Sequence, residues 1–252
     1  RLGVIQRAAP VSNDKQERQA GLAENFVEVG PLETNLTNLE DRGYNAGTSS
    51  VQSWSGHYWG NTTGGLGWRW ADPNFPSKSF IDGYNYVLNN RWDRTPWNYL
   101  SPSEKYDYLT GVNSSEAGSL TRQQWKMGHD EYQRTGTVTD WAGICHGWAP
   151  ASIYMPEPKR DVIFKFPSGD LYFTVDDIKA IGALYWANGK YESVFTGFRC
   201  DDLSPATTSD GRVLDAKCFD VNPGDWHLIL TNMIGKYKQP FVMDAAQTNE
   251  VW

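Results

Sequence analysis

Apolar positions along this chain fall into three regimes: scattered, recurring at helical spacing, and gathered into short runs as in strands. Residues 1 to about 50 are polar and irregular, and Asn13-Asp14-Lys15-Gln16-Glu17-Arg18-Gln19 reads as a mobile arm or a solvated helix. Trp54, His57, Tyr58, Trp59, Trp68 and Trp70 then interleave with glycines. No strand-like pattern sets these rings on one face, so a Gly-rich loop packing its own Trp side chains is favoured over an aromatic carbohydrate-binding platform. Ser101-Pro102-Ser103-Glu104 predicts a helix start, with Ser at the N-cap, Pro at N1 and Glu at N3. A second helix is predicted over about Leu120–Arg134, with Leu120, Trp125 and Tyr132 near one face.

Beyond residue 160 the pattern changes. Val162–Phe166, a Pro-Ser-Gly-Asp turn and Leu171–Phe173 predict a β-hairpin. Thr174 can cap a helix with Asp177 at N3; Ile178, Ile181 and Tyr185 supply its apolar stripe, and Asn188-Gly189 ends it. Two further strands are predicted, His227–Ile234 and Pro240–Asp244. Helices followed by mixed strands and helices predict an α+β fold. A loop-rich, Trp-rich region would cover 1–95 and the core 96–252. There is no internal repeat.

Composition narrows the function classes. The 252 residues carry net charge −7, against an extended basic face for nucleic acid. No run approaches the roughly 18 apolar residues of a membrane span. Three cysteines, Cys145, Cys200 and Cys218, leave one unpaired if a single disulfide forms. Cys200 and Cys218 bracket a polar loop whose closure would be worth about 3 kcal/mol in an oxidising compartment. Sequons at Asn35, Asn61 and Asn113 would permit glycosylation on a secretory route. The chain starts at Arg1 without Met and stops on Trp252, which predicts a form trimmed from a longer protein.

The candidate chemistry centres on Cys145. Ala142-Gly143-Ile144 before it and a stretch of small and aromatic residues after it predict a turn opening a helix, where the positive helix end and unused N–H groups favour a thiolate and an oxyanion. Pro150 complicates that helix, and a buried structural cysteine remains the alternative. Of the four histidines, adjacent His146 points about 100° away from Cys145, while His57 and His129 read as packing or surface residues. His227 follows a turn and opens an apolar run, so it is the candidate base. Asp244, closing the next predicted strand, is the candidate orienting acid, with a solvated strand-end carboxylate as the alternative. Asp176-Asp177 and Asp201-Asp202 could meet Ca²⁺ but lack an EF-hand's alternating ligands and read as acidic turns or helix starts. There is no phosphate-binding glycine loop.

At Trp141-Ala142-Gly143-Ile144-Cys145-His146-Gly147-Trp148-Ala149-Pro150-Ala151-Ser152 the sequence resembles the oomycete-type transglutaminase (transglutaminase elicitor) family, which has marine bacterial relatives. His227 through Pro240 is similar to the family's histidine segment, and Val251-Trp252 to the start of the peptide that plants recognise in oomycete members. The resemblance implies a papain-like core and Gln–Lys isopeptide formation, with Cys145 as nucleophile, His227 as base and Asp244 as orienting acid. It further implies Ca²⁺ dependence, secretion and protein substrates carrying Gln and Lys, with the rest of the enzyme a C-terminal remainder or separate chain. A papain-like cysteine protease or deamidase would share nucleophile and base. A non-catalytic aromatic-rich binding or elicitor module is the alternative of another class.

Overall fold

A computed structural model describes residues 29–76, 79–89, 95–113, 118–190, 196–197, 202, 204–215, 218–219, 221 and 223–243. The Asn13–Gln19 stretch lies outside them. The helices are α1 (Leu36–Asp41), α2 (Phe80–Asn89), α3 (Pro102–Thr110), α4 (Leu120–Thr135), α5 (Cys145–Tyr154), α6 (Val175–Asn188) and α7 (Pro223–Ile229). α7 runs on as a π-helix over Leu230–Lys236. Strands β1 (Val162–Phe166) and β2 (Gly169–Phe173) pair antiparallel, with Val162 opposite Phe173 and Phe164 opposite Leu171. The expected α+β class holds: mixed helices with one two-stranded sheet among the described residues.

The chain divides into two compact units, Ser53–Gly189 and a discontinuous unit of Arg1–Gln52 with Lys190–Trp252. In Ser53–Gly189 the local signals act as read. Ser101 and Glu104 form a capping box at α3, Thr174 and Asp177 another at α6, and Ser119 caps α4. These satisfy first-turn N–H groups that helices otherwise leave without partners. Trp59, Leu66, Ile144, Ala180, Ala183 and Leu184 form one core cluster. Leu100, Leu171 and Phe173 form another against Trp97, Tyr108 and Phe166.

Two buried ion pairs brace the caps. Arg69 grips Glu104 at 2.6 and 2.9 Å with both side chains fully buried, and Lys105 reaches Asp177 at 2.6 Å. Asp177 is therefore a helix start, as read, but an enclosed one. Asp107, also buried, accepts from Ser119 Oγ and from the N–H groups of Leu120 and Thr121, which ties α3 to the start of α4.

In the discontinuous unit the structure corrects the sequence reading. His227–Ile234 is not a strand but the end of α7 and most of the π-helix. The described part of the second expected strand, Pro240–Met243, is irregular. A short apolar run cannot separate buried strand from buried helix by itself. Pro223 suits a helix start, and Ile229 and Met233, four apart, are the buried pair against Leu32 and Phe241. The side chain of Asn232, fully buried, accepts from Glu33 N–H and donates to the Glu33 and Leu228 carbonyls, fastening residue 33 to the π-helix.

Candidate active site

α5 carries Cys145 as its first residue, exposed and with a free thiol. The helix continues through Pro150 to Tyr154, so Pro150 does not shorten it. What secures it is contact with α6. A Cβ on Gly147 would lie 2.2 Å from the Ala183 carbonyl and 2.5 Å from the Ala187 Cβ, so only glycine permits the two helices this spacing.

The N-terminus of α5 differs from those of α1, α3, α4 and α6, each capped by Asn, Ser or Thr. Its N-cap is Ile144, which offers no side-chain acceptor. The Ile144 carbonyl takes the N–H groups of Gly147 and Trp148, both at 2.9 Å. Among the described residues no cap side chain covers the amides at Cys145, where the positive end of the helix favours negative charge.

The segment from Trp54 to Asn61 holds this helix at both ends. The Trp54 indole N–H donates to the Met155 carbonyl at 3.0 Å, at the helix C-cap. The Ile144 N–H donates to the Tyr58 carbonyl at 2.8 Å, and the Asn61 N–H to the Ala142 carbonyl at 2.8 Å. The Tyr58 hydroxyl donates to the Asp140 carbonyl at 3.1 Å, and Lys179 of α6 donates to the Ser55 carbonyl at 2.8 Å. Gly143 lies so close to Tyr58 that a Cβ would stand 2.5 Å from its carbonyl oxygen. Of the Trp/Gly-rich stretch, Trp54 and Trp59 are buried as expected while Trp70 is exposed, and the stretch also straps the loop that presents Cys145. Composition alone did not reveal that second role, because the partners lie more than 80 positions apart.

Of the other expected groups, His227 is exposed within α7 of the discontinuous unit, and Asp244 lies outside the described residues. His57 accepts the Trp59 N–H through Nδ1 at 2.9 Å, and burial lowers its pKa against a smaller opposing pull from Asp176. Trp148 packs at the edge of the α5–α6 core, Trp226 meets Phe241 edge-on, and Trp141 is exposed. Cys218 is disulfide-bonded, while Cys200 lies outside the described residues. Among the described residues no three His, Cys, Asp or Glu side chains converge as a metal site. No described helix is long and apolar enough to cross a membrane.

Residues 22–252 match a family model described as "Transglutaminase elicitor". No curated protein matches the chain. Among solved structures, the crystal structure of the GP42 transglutaminase from Phytophthora sojae superposes with a TM-score of 0.58 at 21% identity. The match covers 91% of this chain and 59% of that one, so the chain spans less than two thirds of the protein it resembles. At this identity the likeness is one of fold.

Proposed function

Because this chain belongs to the transglutaminase elicitor family, we propose that it is the Cys-bearing part of a secreted protein-glutamine γ-glutamyltransferase with a papain-like core. The observation that supports this reading is Cys145 itself. It is a free, exposed thiol at the first position of a helix whose N-cap is Ile144 rather than an acceptor side chain.

In the proposed reaction Cys145 Sγ, as thiolate, attacks the side-chain carboxamide carbon of a protein Gln. The first-turn N–H groups of α5 hold the oxyanion that develops. Collapse of this tetrahedral adduct breaks the C–N bond, and His227 donates a proton to the departing ammonia, leaving a thioester. A Lys amine then attacks the thioester carbonyl and gives its proton to His227. Loss of the Cys145 thiolate completes the isopeptide. Asp244 would fix the imidazole tautomer.

Water in place of the amine would give a deamidase, and attack on a backbone amide a protease; these share every group named. The family resemblance implies that activity depends on Ca²⁺, and chelation of the assay tests this. A Cys200–Cys218 disulfide would suit a secreted protein, and mass analysis without reductant tests that pairing.

The deciding experiment incubates the chain with casein and a fluorescent primary amine, and in parallel with a Gln peptide read by mass. Amine incorporation that disappears in Cys145→Ala is the expected result. Incorporation that persists in Cys145→Ala refutes the assignment. Deamidated or cleaved peptide without incorporation moves the reading to hydrolysis.

A further inference from the structure

We propose that His57 is a positioning residue for the Cys145 thiol, acting through the backbone turn at Trp59; this deepens the acyl-transfer reading and rests on it for its activity readout. Trp59 has a φ of +48°, in the left-handed region that bulky residues rarely occupy. Such conformations persist where the surroundings over-determine them, and they gather at functional sites. The strain here has identifiable anchors on both sides.

Immediately before Trp59, the Tyr58 carbonyl accepts the Ile144 N–H, and the Tyr58 hydroxyl donates to the Asp140 carbonyl. Two residues after it, the Asn61 N–H donates to the Ala142 carbonyl. Tyr58 and Asn61 therefore bind the same short loop, residues 140–144, with Trp59 between them. The Trp59 ring is buried in the cluster that contains Ile144. The turn is closed by a bond two residues long: the Trp59 N–H donates to His57 Nδ1 at 2.9 Å. That bond requires Nδ1 to carry no proton, so the neutral ring holds its proton on Nε2.

His57 is the link whose side chain can be changed without altering the backbone partners. Without an acceptor at position 57, the Trp59 turn is free to relax toward negative φ. The Tyr58 carbonyl would then rotate away from the Ile144 N–H. Ile144 is the N-cap of α5, so the displacement passes directly to Cys145 and the amides beside it. The ring of His57 also contacts Tyr58, Trp59 and Trp68, with centroids 5.0, 5.4 and 5.7 Å away, so the test must separate ring packing from the acceptor.

Asn and Phe make that separation. The Asn side-chain oxygen readily accepts a backbone N–H two residues on, whereas Phe keeps the ring and has no acceptor. Both variants are made in the full chain, with His57→Leu, close in size to Asn, as the second acceptor-less variant should His57→Phe fail to fold. Two readouts are taken: the rate of Cys145 alkylation by iodoacetamide in the native protein, and kcat and KM for amine incorporation into a Gln peptide.

Alkylation is expected to slow several-fold in the Phe or Leu variant. For amine incorporation, kcat should drop by about tenfold to about a hundredfold with KM for the peptide unchanged, the effect of a misplaced reacting group. His57→Asn should stay close to wild type in both readouts. The proposal is overturned if the acceptor-less variant alkylates at the wild-type rate, or if Asn loses as much as Phe. If the wild-type chain incorporates no amine, the transfer reading fails, and the alkylation rates alone still decide the role of His57.

Discussion

Gly147 and His57 show how single residues set the geometry around Cys145. Any side chain at 147 meets the backbone of α6, because the Cβ position lies 2.2 Å from the Ala183 carbonyl oxygen. Gly147→Ala should therefore destabilise the fold by at least about 2 kcal/mol, the penalty of overpacking a rigid helix contact. It should also displace Cys145, two residues away. A thermal midpoint equal to wild type would show that α5 and α6 do not need this contact.

His57 makes a prediction about acid. Burial lowers its pKa below the ordinary 6.5, with Asp176 opposing only in part. Between the lowered value and 6.5 the unfolded chain binds more protons than the folded one, so stability rises with pH across that window. The contribution is complete above about pH 6.5 and is lost as pH falls through the folded-state value. Protonation also places a proton on Nδ1, where the Trp59 N–H now donates. Thermal midpoints measured from pH 8 down to pH 5 should fall below about 6.5. The fall should be smaller in His57→Asn, which has no titrating group there. Equal slopes in the two proteins would count against an imidazole held neutral by partial desolvation.

Among elements, what was legible in the sequence divides by how local its cause is. α3 and α6 announce themselves because a capping box is complete within four residues, Ser101 to Glu104 and Thr174 to Asp177. The hairpin is legible for the same reason, its turn and flanking apolar runs being contiguous. Cys145 at a helix start was legible from small residues followed by a helix-like stretch. α7 was not, because Leu228-Ile229-Leu230 carries no period of its own. Only the contacts of Ile229 and Met233 with Leu32 and Phe241 decide that the segment is helical. The strap over Cys145 was equally hidden, since its backbone bonds leave no trace in residue type and its Trp54 indole and Tyr58 hydroxyl bonds go to backbone carbonyls more than 80 positions away.

The caps also do more than start helices. Glu104 serves the capping box of α3 and the buried pair with Arg69 at once. Glu104→Gln keeps a side chain able to cap but removes the charge opposite the fully buried guanidinium. Removing one partner of such a pair costs about 3 kcal/mol or more. Denaturant unfolding of the variant should show that loss; a change under about 1 kcal/mol, the range of exposed pairs, would mean that the guanidinium is stabilised chiefly by other groups.

At the scale of the whole molecule, the contiguous unit Ser53–Gly189 carries the nucleophile and the discontinuous unit carries His227. A shared fold does not by itself carry a shared reaction, so activity must be argued from the residues. This division gives the clearest way to separate chemistry from stability. His227 is exposed, and among the described residues Ile229 and Met233 pack against Leu32, Val221, Leu228 and Phe241 while the Asn232 side chain bonds Glu33 and the Leu228 carbonyl. His227→Ala should thus leave unfolding within about 0.5 kcal/mol of wild type, as surface substitutions do. If His227 is the general acid and base of the transfer, the same substitution should lower kcat for amine incorporation by about 10²- to 10⁴-fold. Cys145 should remain alkylatable, because its helix and strap lie wholly in the other unit. Loss of activity with stability preserved would assign His227 to the reaction. Loss of both together would make it a folding residue. Full activity in His227→Ala would remove it from the mechanism and direct the search for the base to the histidines of Ser53–Gly189.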